Sequence, residues 1–341
     1  MTTTRRQLLA ASAALALIAP GAGFAQQQLT FQSADQAGNP NFVLQKELFV
    51  DKIAEATNGE VTAELLPVGS VVEYNETVDA VGSGILSGHI TDTSYFAGKD
   101  PAFSLIGNPV GAYGAPSEMF GFMDNGGAEL MRELYEPYGI YFIGPSTPGL
   151  EAFVSKTPLN GVDDLQGLKM RAPEGLVQQV FAAAGASPVN LPSSEVFTSL
   201  DKGVIDAADF SVFSTNQAQG LHDIAPNPVY PGFHSMPLIE ISMNKDLWDS
   251  LSAENQEAIT NLAAEFREAQ VAQLAENDQK AVEEAEAGGE VTVTDWAPEE
   301  RARFRAIAAE QWTSVAEQSE NAQKVYDALT TYLRDEGLLA E

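Results

Sequence analysis

The sequence predicts an α/β protein of two lobes joined by one long helix. The chain has 341 residues, a length that allows about two domains. Short β-type runs alternate with amphipathic stretches along most of it, which is the pattern of an α/β layer. Residues 253–287 contain neither Pro nor Gly, and about 35 helical residues would span roughly 52 Å. A helix longer than one small domain must project from the molecule or bridge its lobes.

The β-type and amphipathic segments come in two sets. The first set, between residue 29 and about residue 142, comprises 29–32, 44–56, 61–66, 77–86 and 89–93 in alternation. The second set predicts strands at 140–143, 153–155, 168–171 and 188–191, helices near 175–184 and 194–202, and a short run at 204–206. Because the alternation continues past the first set, we expect a second α/β lobe.

The long helical segment has clear ends. Ser252 is a candidate N-cap, and Gly288 with Gly289 stops the helix. Apolar residues recur at helical spacing from Ile259 to Phe266, which predicts a buried stripe in the first half. Heptad positions are not sustained past Leu274, so bridging of two lobes is favoured over a coiled-coil dimer. A strand at 291–294, a helix from Pro298 and a last helix at 313–336 are predicted to follow.

The N-terminal 25 residues are typical of a secretory signal peptide. Arg5-Arg6 precedes an apolar stretch at 8–19, and small residues end the segment at 23–25. The apolar stretch is shorter than the roughly 20 residues of a membrane span. Residues 4–9 also resemble the twin-arginine export signal. We therefore expect export to a bacterial periplasm, with either export route open.

Composition excludes several classes of function. Lys and Arg total 18 against 48 Asp and Glu, a formal net charge of −30 at pH 7, which opposes binding to nucleic acid or to an anionic membrane surface. The chain has no cysteine, so disulfides, thiolate metal sites and cysteine nucleophiles are excluded. The nucleophile-elbow, phosphate-loop and His-Glu-x-x-His motifs do not occur, so we expect a protein that is not an enzyme.

Arg171 is the first candidate site residue. It ends an apolar β-type run and precedes Ala172-Pro173 and a predicted helix. In an α/β sheet such a strand end lies at a crevice. The guanidinium group could there form two parallel hydrogen bonds to a carboxylate, with a directional fork that Lys lacks. The alternative is a structural salt bridge to one of the many acidic residues.

Four motifs around Arg171 carry a resemblance to a known family. They are Leu-Lys-Met-Arg-Ala-Pro at 168–173, Gly-Ala-Ser-Pro-Val at 185–189, Glu-Val-Phe-Thr-Ser-Leu at 195–200 and Gly-Val-Ile-Asp at 203–206. Together they resemble the signature of the DctP-type solute-binding proteins of tripartite ATP-independent periplasmic (TRAP) transporters. The segments 244–248 and 251–256 extend the resemblance. It implies the two-lobed periplasmic binding protein fold, in which a long helix crosses both lobes.

The resemblance also implies a domain organisation and a partner. Lobe I is expected to comprise 26–147 and about 233–270, and lobe II 148–232 and about 271–341, with the helix at about 253–287 crossing both. In this family the lobes close around a small organic acid, which passes to the membrane subunits of a TRAP permease. The carboxylate-clamping arginine of the family falls on Arg171.

Two further segments resemble one branch of that family. Residues 98–103 and 230–234 are similar to the branch that binds 2-oxo and 2-hydroxy monocarboxylates, in some members with a bridging metal ion. The ligating acid and the following aromatic residue of that branch fall on Asp209 and Phe210. The acid expected after the Gly-aromatic-His run is replaced by Ser235.

The resemblance leaves two roles open for the acidic residues. Asp209, with Glu151 at or near another contact position, could hold Ca²⁺ or Na⁺, although hard cations usually take about 6–8 oxygen ligands. The alternative is that the two carboxylates accept hydrogen bonds from a hydroxyl or amino group of the solute. His234 could donate to the solute or be structural. The aromatic candidates for the pocket, each of which could instead pack in the core, are Tyr95, Phe96, Phe210 and Phe233.

The predicted function is an extracytoplasmic receptor, monomeric, for a small organic monocarboxylate of the 2-oxo, 2-hydroxy or aromatic kind. Arg171 would hold the carboxylate, and the acids and aromatics would contact the rest of the solute. The alternative from another class is an exported hydrolase or lyase in which Glu151 and Asp209 act as acid and base.

Overall fold

The computed structural model describes residues 26–339, and the predicted signal peptide lies outside these residues. Within these residues there are nine strands: β1 Gln27–Ser33, β2 Val61–Leu66, β3 Gly88–Asp92, β4 Ile140–Ser146, β5 Ala152–Ser155, β6 Lys169–Arg171, β7 Ser187–Val189, β8 Ala207–Ser211 and β9 Ile239–Asn244. The helices are α1 Pro40–Leu48, α2 Ile53–Ala56, α3 Thr77–Gly82, α4 Pro101–Gly107, α5 Pro116–Phe122, α6 Ala128–Tyr135, α7 Leu176–Ala183, α8 Ser193–Asp201, α9 Phe213–Ala218, α10 Leu221–Ile224, α11 Lys245–Ser250, α12 Ala253–Gly288, α13 Pro298–Ala316 and α14 Glu320–Asp335.

The strands form two sheets, one in each lobe. The first has the order β2-β1-β3-β9-β4, and the second has the order β5-β8-β6-β7. In the first sheet β1 pairs in parallel with β2 and β3, whereas β9 runs antiparallel between β3 and β4. Strand β9 comes after all the strands of the second sheet, so the chain crosses between the lobes and returns.

Helix α12 bridges the two lobes, as predicted from the sequence. Ser252 caps it by accepting a hydrogen bond from the Asn255 amide at 3.2 Å, and Gly289 ends it with a left-handed φ of 71°. Its first half packs on α1, α2 and β4, and its second half on α9. Two buried polar residues make the same connections, because Gln270 accepts from Ser146 of β4 and Asp278 accepts from the Ser214 amide of α9.

The fold class is confirmed, and some local predictions differ. Residues 291–294 are rich in β-formers, but Thr294 makes only an isolated bridge with Val229. The run at 204–206 is a turn, and the strand begins at Ala207. The last helix begins at Glu320 rather than at residue 313, because α13 continues to Ala316 and Ser319 then caps the next helix.

The two C-terminal helices contact both lobes. Helix α13 packs on α7 beside the second sheet and on α4 beside the first, and α14 packs on α4 and α13. The assignment of residues 271–341 to lobe II therefore stays a prediction. Among residues 26–339, no helix is both long and apolar enough to cross a membrane.

Candidate functional site

The two lobes face each other across a cavity of about 50 Å³. Its first wall includes Asp35, Thr91, Asp92 and Tyr95, and its second wall includes Glu151, Arg171 and Phe210. The walls touch at one rim, where the Asn41 amide nitrogen lies 3.3 Å from the Ser211 hydroxyl oxygen. At about 10–15 Å³ for each water molecule, the cavity has room for about four. The lobes therefore stand close together in this structure.

Arg171 ends β6, a central strand of the second sheet, and its side chain reaches the cavity. Its Nε donates to the Leu191 carbonyl at 3.2 Å, and its Nη1 donates to the Asp209 carbonyl at 2.7 Å. These bonds fix the guanidinium group, and the side chain of Tyr95 lies beside it. No carboxylate in those residues forms a salt bridge with it, so the alternative of a structural ion pair is not what the structure contains.

The guanidinium group of Arg171 stays protonated and positively charged. Burial alone would lower the pKa of its guanidinium group, but Tyr95 and Asp209 hold that pKa above its ordinary value. Only 4% of the residue is exposed. A buried, fixed and permanently charged guanidinium group at a cavity wall is well suited to bind a carboxylate.

Glu151, Asp209 and His234 form a buried cluster beside Arg171, with one potential ligand atom of each within 4.8 Å of the others. His234 Nε2 lies 3.3 Å from Asp209 Oδ1 without hydrogen-bond geometry. Both carboxylate oxygens of Asp209 and both ring nitrogens of His234 are thus buried without a hydrogen-bond partner in residues 26–339. Buried polar atoms without hydrogen-bond partners lower the stability of the fold, so this cluster is suited to bind a cation or a polar group of a ligand.

The pKa values of the two carboxyl groups in the cluster shift in opposite directions. Burial, and then the neighbouring Asp209 charge, raise the pKa of Glu151 well above its ordinary value. Burial would also raise the pKa of Asp209, but His234, Glu151 and Arg171 together hold it below its ordinary value. Glu151 therefore holds a proton more readily than Asp209 does.

The loop after β8 and α10 brings His234 and Ser235 to this cluster because of one glycine. A Cβ at Gly232 would overlap the backbone oxygen of Glu151, so only glycine allows this approach. The Glu151 amide then donates to the Ser235 carbonyl at 2.8 Å. The Ser235 hydroxyl, which replaces the acid of the related branch, accepts from Asn108 Nδ2 at 2.5 Å. Ser235 is fully buried and is not among the cavity-lining residues.

The four aromatic candidates separate into two groups. Tyr95 and Phe210 line the cavity and are half-buried. Phe96 and Phe233 are not among the lining residues. Phe233 stacks on Trp296 with ring centroids 3.8 Å apart, and Phe96 stacks on His89 at 5.6 Å. Both rings pack in the core of this structure, so contact of Phe96 and Phe233 with a solute stays a prediction.

Sequence reasoning missed the acidic residues of the first wall. Asp35 follows β1 and Asp92 ends β3, and these neighbouring parallel strands end at the same sheet edge. Burial raises the pKa of Asp92 to about 7 and that of Asp35 to about 6. The signal was available, since each acid lies within three residues of the end of a predicted β-type run, and strand ends are where α/β sheets bind ligands.

Comparison with known proteins gives a family match over most of the chain. The model of the DctP family, described as bacterial extracellular solute-binding protein, family 7, matches residues 34–319. A monocarboxylate 2-oxoacid-binding periplasmic protein of Nostoc sp. is 29% identical over 221 residues, which cover 64% of this chain and 60% of that protein. The chain thus spans less than two thirds of that relative.

Solved structures extend the comparison. A TRAP periplasmic solute-binding protein from Rhodobacter sphaeroides, in an apo open structure, is 64% identical, with a TM-score of 0.77, and the match covers 92% of this chain and 100% of that chain. A TRAP protein from Pseudoalteromonas atlantica with bound sodium and pyruvate is 24% identical, with a TM-score of 0.80 and coverage of 91% and 95%, which shows a shared fold. Solutes of other matching proteins include d-glucuronate and ectoine.

Proposed function

We propose a solute class and a binding mode for this chain, which belongs to the DctP family of bacterial extracellular solute-binding proteins. The proteins of this family are transport receptors rather than enzymes, so the alternative of an exported hydrolase or lyase falls away. The proposed solute is a small organic monocarboxylate, held between the lobes and delivered to a TRAP permease. Export through residues 1–25, a periplasmic location and a monomeric state belong to the same proposal.

The observation that supports this proposal is the environment of the guanidinium group of Arg171. This group is buried, tethered to two backbone carbonyls, free of any salt bridge among residues 26–339, and part of the cavity wall. A monocarboxylate would complete its hydrogen bonds and balance its charge. The small volume of the cavity favours a short-chain 2-oxo or 2-hydroxy acid. An aromatic acid would need the lobes to stand farther apart.

Asp209 and Glu151 are proposed to recognise the group next to the solute carboxylate. Their oxygens fit a cation, because those of Asp209 are buried without hydrogen-bond partners among residues 26–339 and a cation can displace the proton that the raised pKa of Glu151 favours. Nitrogen is a poor ligand for Ca²⁺ or Na⁺, so His234 would support Asp209 rather than bind the ion. Without a cation, the same oxygens would accept hydrogen bonds from a hydroxyl group.

The experiment is a ligand panel measured by thermal unfolding of the exported, purified protein. The panel contains 2-oxo, 2-hydroxy and aromatic monocarboxylates, each with Ca²⁺, with Na⁺ alone, and with a chelator. A solute at about 100 times its dissociation constant adds about 2.7 kcal/mol to the free energy of unfolding. The matched control is the amide of each acid, which keeps the shape and removes the charge.

The expected result is stabilisation by a few acids and none by their amides. Loss of the stabilisation in chelator would assign a divalent cation to Asp209 and Glu151, whereas an unchanged shift would assign them to direct hydrogen bonding. If no acid stabilises the protein, or if the amides do so equally, the proposed role of Arg171 is wrong.

A further inference from the structure

The cavity wall opposite Arg171 carries several acceptor oxygens without donors. Asp92 uses one carboxylate oxygen, Oδ1, to accept from the Ser94 amide at 2.7 Å, which caps the 3-10 turn Thr93–Phe96. Asp35 uses Oδ2 to accept from Gln45 Nε2 at 3.1 Å. The remaining oxygen of each acid receives no hydrogen bond from residues 26–339. Both residues line the cavity.

Two neutral side chains on the same wall add to this set. The Oδ1 atom of Asn41 and the Oγ1 atom of Thr91 are buried and have no hydrogen-bond partner in residues 26–339. Asn41 is 8% exposed and Thr91 is 1% exposed, and both line the cavity. A buried acceptor without a donor costs free energy unless a ligand or water supplies one. This wall therefore calls for N–H or O–H donors.

The charges of the cavity require a positive group as well. Apart from Glu151, whose raised pKa favours the neutral form, the lining contains the carboxyl groups of Asp35 and Asp92 against the single guanidinium group of Arg171. A bound monocarboxylate neutralises the charge of Arg171, so the negative charge of the first wall has no positive partner. Excess negative charge in a small cavity away from water is costly. A cation on Glu151 and Asp209 would balance those two acids and leave Asp35 and Asp92 to the solute.

We propose that the solute is a small carboxylic acid that also carries a protonated nitrogen with N–H donors, with its carboxylate on Arg171 and its nitrogen on Asp35 and Asp92. This inference rests on the proposed function and narrows its solute class to amino or amidino acids. The zwitterion joins the two lobes, since its negative end meets the second wall and its positive end meets the first. A trimethylated nitrogen would bring charge without donors and would leave the acceptors of this wall unpaired.

The test is isothermal titration calorimetry of the exported protein with matched solutes. One series is acetate, glycine and glycine betaine, and two longer series are propionate with 3-aminopropionate and butyrate with 4-aminobutyrate. Pyruvate and lactate are measured beside them. We expect at least one amino acid to bind at least about tenfold tighter than its amine-free counterpart, because a desolvated charge pair is lost without the amine. Glycine should also bind tighter than glycine betaine, which lacks N–H donors.

Replacing Asp92 or Asp35 with Asn tests its role in solute recognition while keeping its structural hydrogen bond. Asp92→Asn keeps the oxygen that caps the Thr93–Phe96 turn, and Asp35→Asn keeps the acceptor for Gln45. Each should lower the preference for the amino acid by about tenfold and leave binding of the amine-free acid equal or tighter. Asp246→Asn, at an exposed position of α11, is the matched control and should change neither. If Asp92→Asn does not fold, Asp35→Asn carries the same test.

The outcomes are distinct from those of the proposed function. A preference for the amine that falls in Asp92→Asn or Asp35→Asn supports the inference. Binding of pyruvate or lactate with no gain from an amino group overturns the inference and leaves the monocarboxylate receptor standing. An equal loss of both kinds of acid in the two variants also overturns it. If no carboxylate in any series binds, both proposals fail.

Discussion

Replacing Asp92 with Asn should stabilise the solute-free protein at and above neutral pH. Burial raises the pKa of Asp92 from 3.8 to about 7, and the residue is 7% exposed. A difference of about 3 pH units corresponds to about 4 kcal/mol, at 1.36 kcal/mol for each unit. Asn retains the acceptor for the Ser94 amide and removes the ionisable group, so the variant isolates the charge.

The sign follows from proton linkage. The folded protein binds the Asp92 proton more tightly than the unfolded chain does, so folding takes up a proton between about pH 4 and about pH 7. The stabilising effect of that proton is complete below the unfolded pKa and is lost as the pH rises through the folded value. At about pH 8 the ionised, buried carboxylate costs its full amount, whereas at about pH 4 it costs nothing.

The assay is the free energy of unfolding by denaturant for wild type, Asp92→Asn and the exposed control Asp246→Asn, from about pH 4 to about pH 8. The stability of Asp92→Asn relative to wild type should rise by up to about 4 kcal/mol across this range. The control should follow the wild-type curve. Parallel curves for wild type and Asp92→Asn would refute the account of an uncompensated carboxylate in the cavity. A solute with a protonated nitrogen should reduce the difference.

Three further substitutions or conditions test the site. Arg171→Met should weaken binding of the best carboxylate by about 2–5 kcal/mol, roughly 30-fold to several thousand-fold, in calorimetry. The exposed Arg303→Met is its control, and a loss within about threefold would contradict the role of Arg171. If a cation binds, the affinity for Ca²⁺ should rise with pH. Burial and the Asp209 charge raise the pKa of Glu151, and the cation must displace the proton of that residue. A flat pH profile of the Ca²⁺ affinity would oppose this site. Gly232→Ala should destabilise the fold by about 1–3 kcal/mol through overlap with the Glu151 carbonyl. Its control is Gly98→Ala, which has open space around it and should not destabilise the fold. Equal unfolding curves for Gly232→Ala and wild type would contradict the close approach.

The elements with local signals were predicted well from the sequence. The long helix was recognised because Ser252 caps it, Gly289 ends it, and its interior lacks Pro and Gly until Gly288. Strand Val61–Leu66 was predicted at its observed bounds, since its β-type residues are bounded by turn formers. In both cases the determining interactions lie within a few residues, where sequence patterns report them directly.

The remaining elements depend on contacts distant in sequence. Strand β9 is inserted antiparallel between β3 and β4, and its pairing with residues about a hundred or more positions away leaves no local signal. The segment at 291–294 has β-forming residues, but its backbone hydrogen bonds to residues 226–230 form one isolated bridge rather than a strand. Propensity indicates which conformation a segment favours, whereas the sheet decides whether a partner is present.

The candidate site also depends on contacts between residues that are distant in sequence. Arg171, Glu151 and Asp209 come from different elements, and the family resemblance was needed to group them. Phe233 was expected to line the pocket because its loop motif resembles a binding segment, but its ring stacks on Trp296, which lies more than sixty residues later in the chain. Which side of a loop residue faces a cavity is set by tertiary packing, which a single sequence does not report.

The charge of the whole protein and the charge of the cavity favour the same kind of solute. A formal charge of −30 repels free anions at a distance, although salt screens this field beyond about 8–10 Å. A zwitterion has no net charge and meets no such repulsion on approach. Inside the cavity, Arg171 alone favours an anion, whereas Asp35 and Asp92 on the opposite wall favour a cation. One small molecule that carries both charges satisfies both walls at once, and lobe closure then brings each charge to its partner.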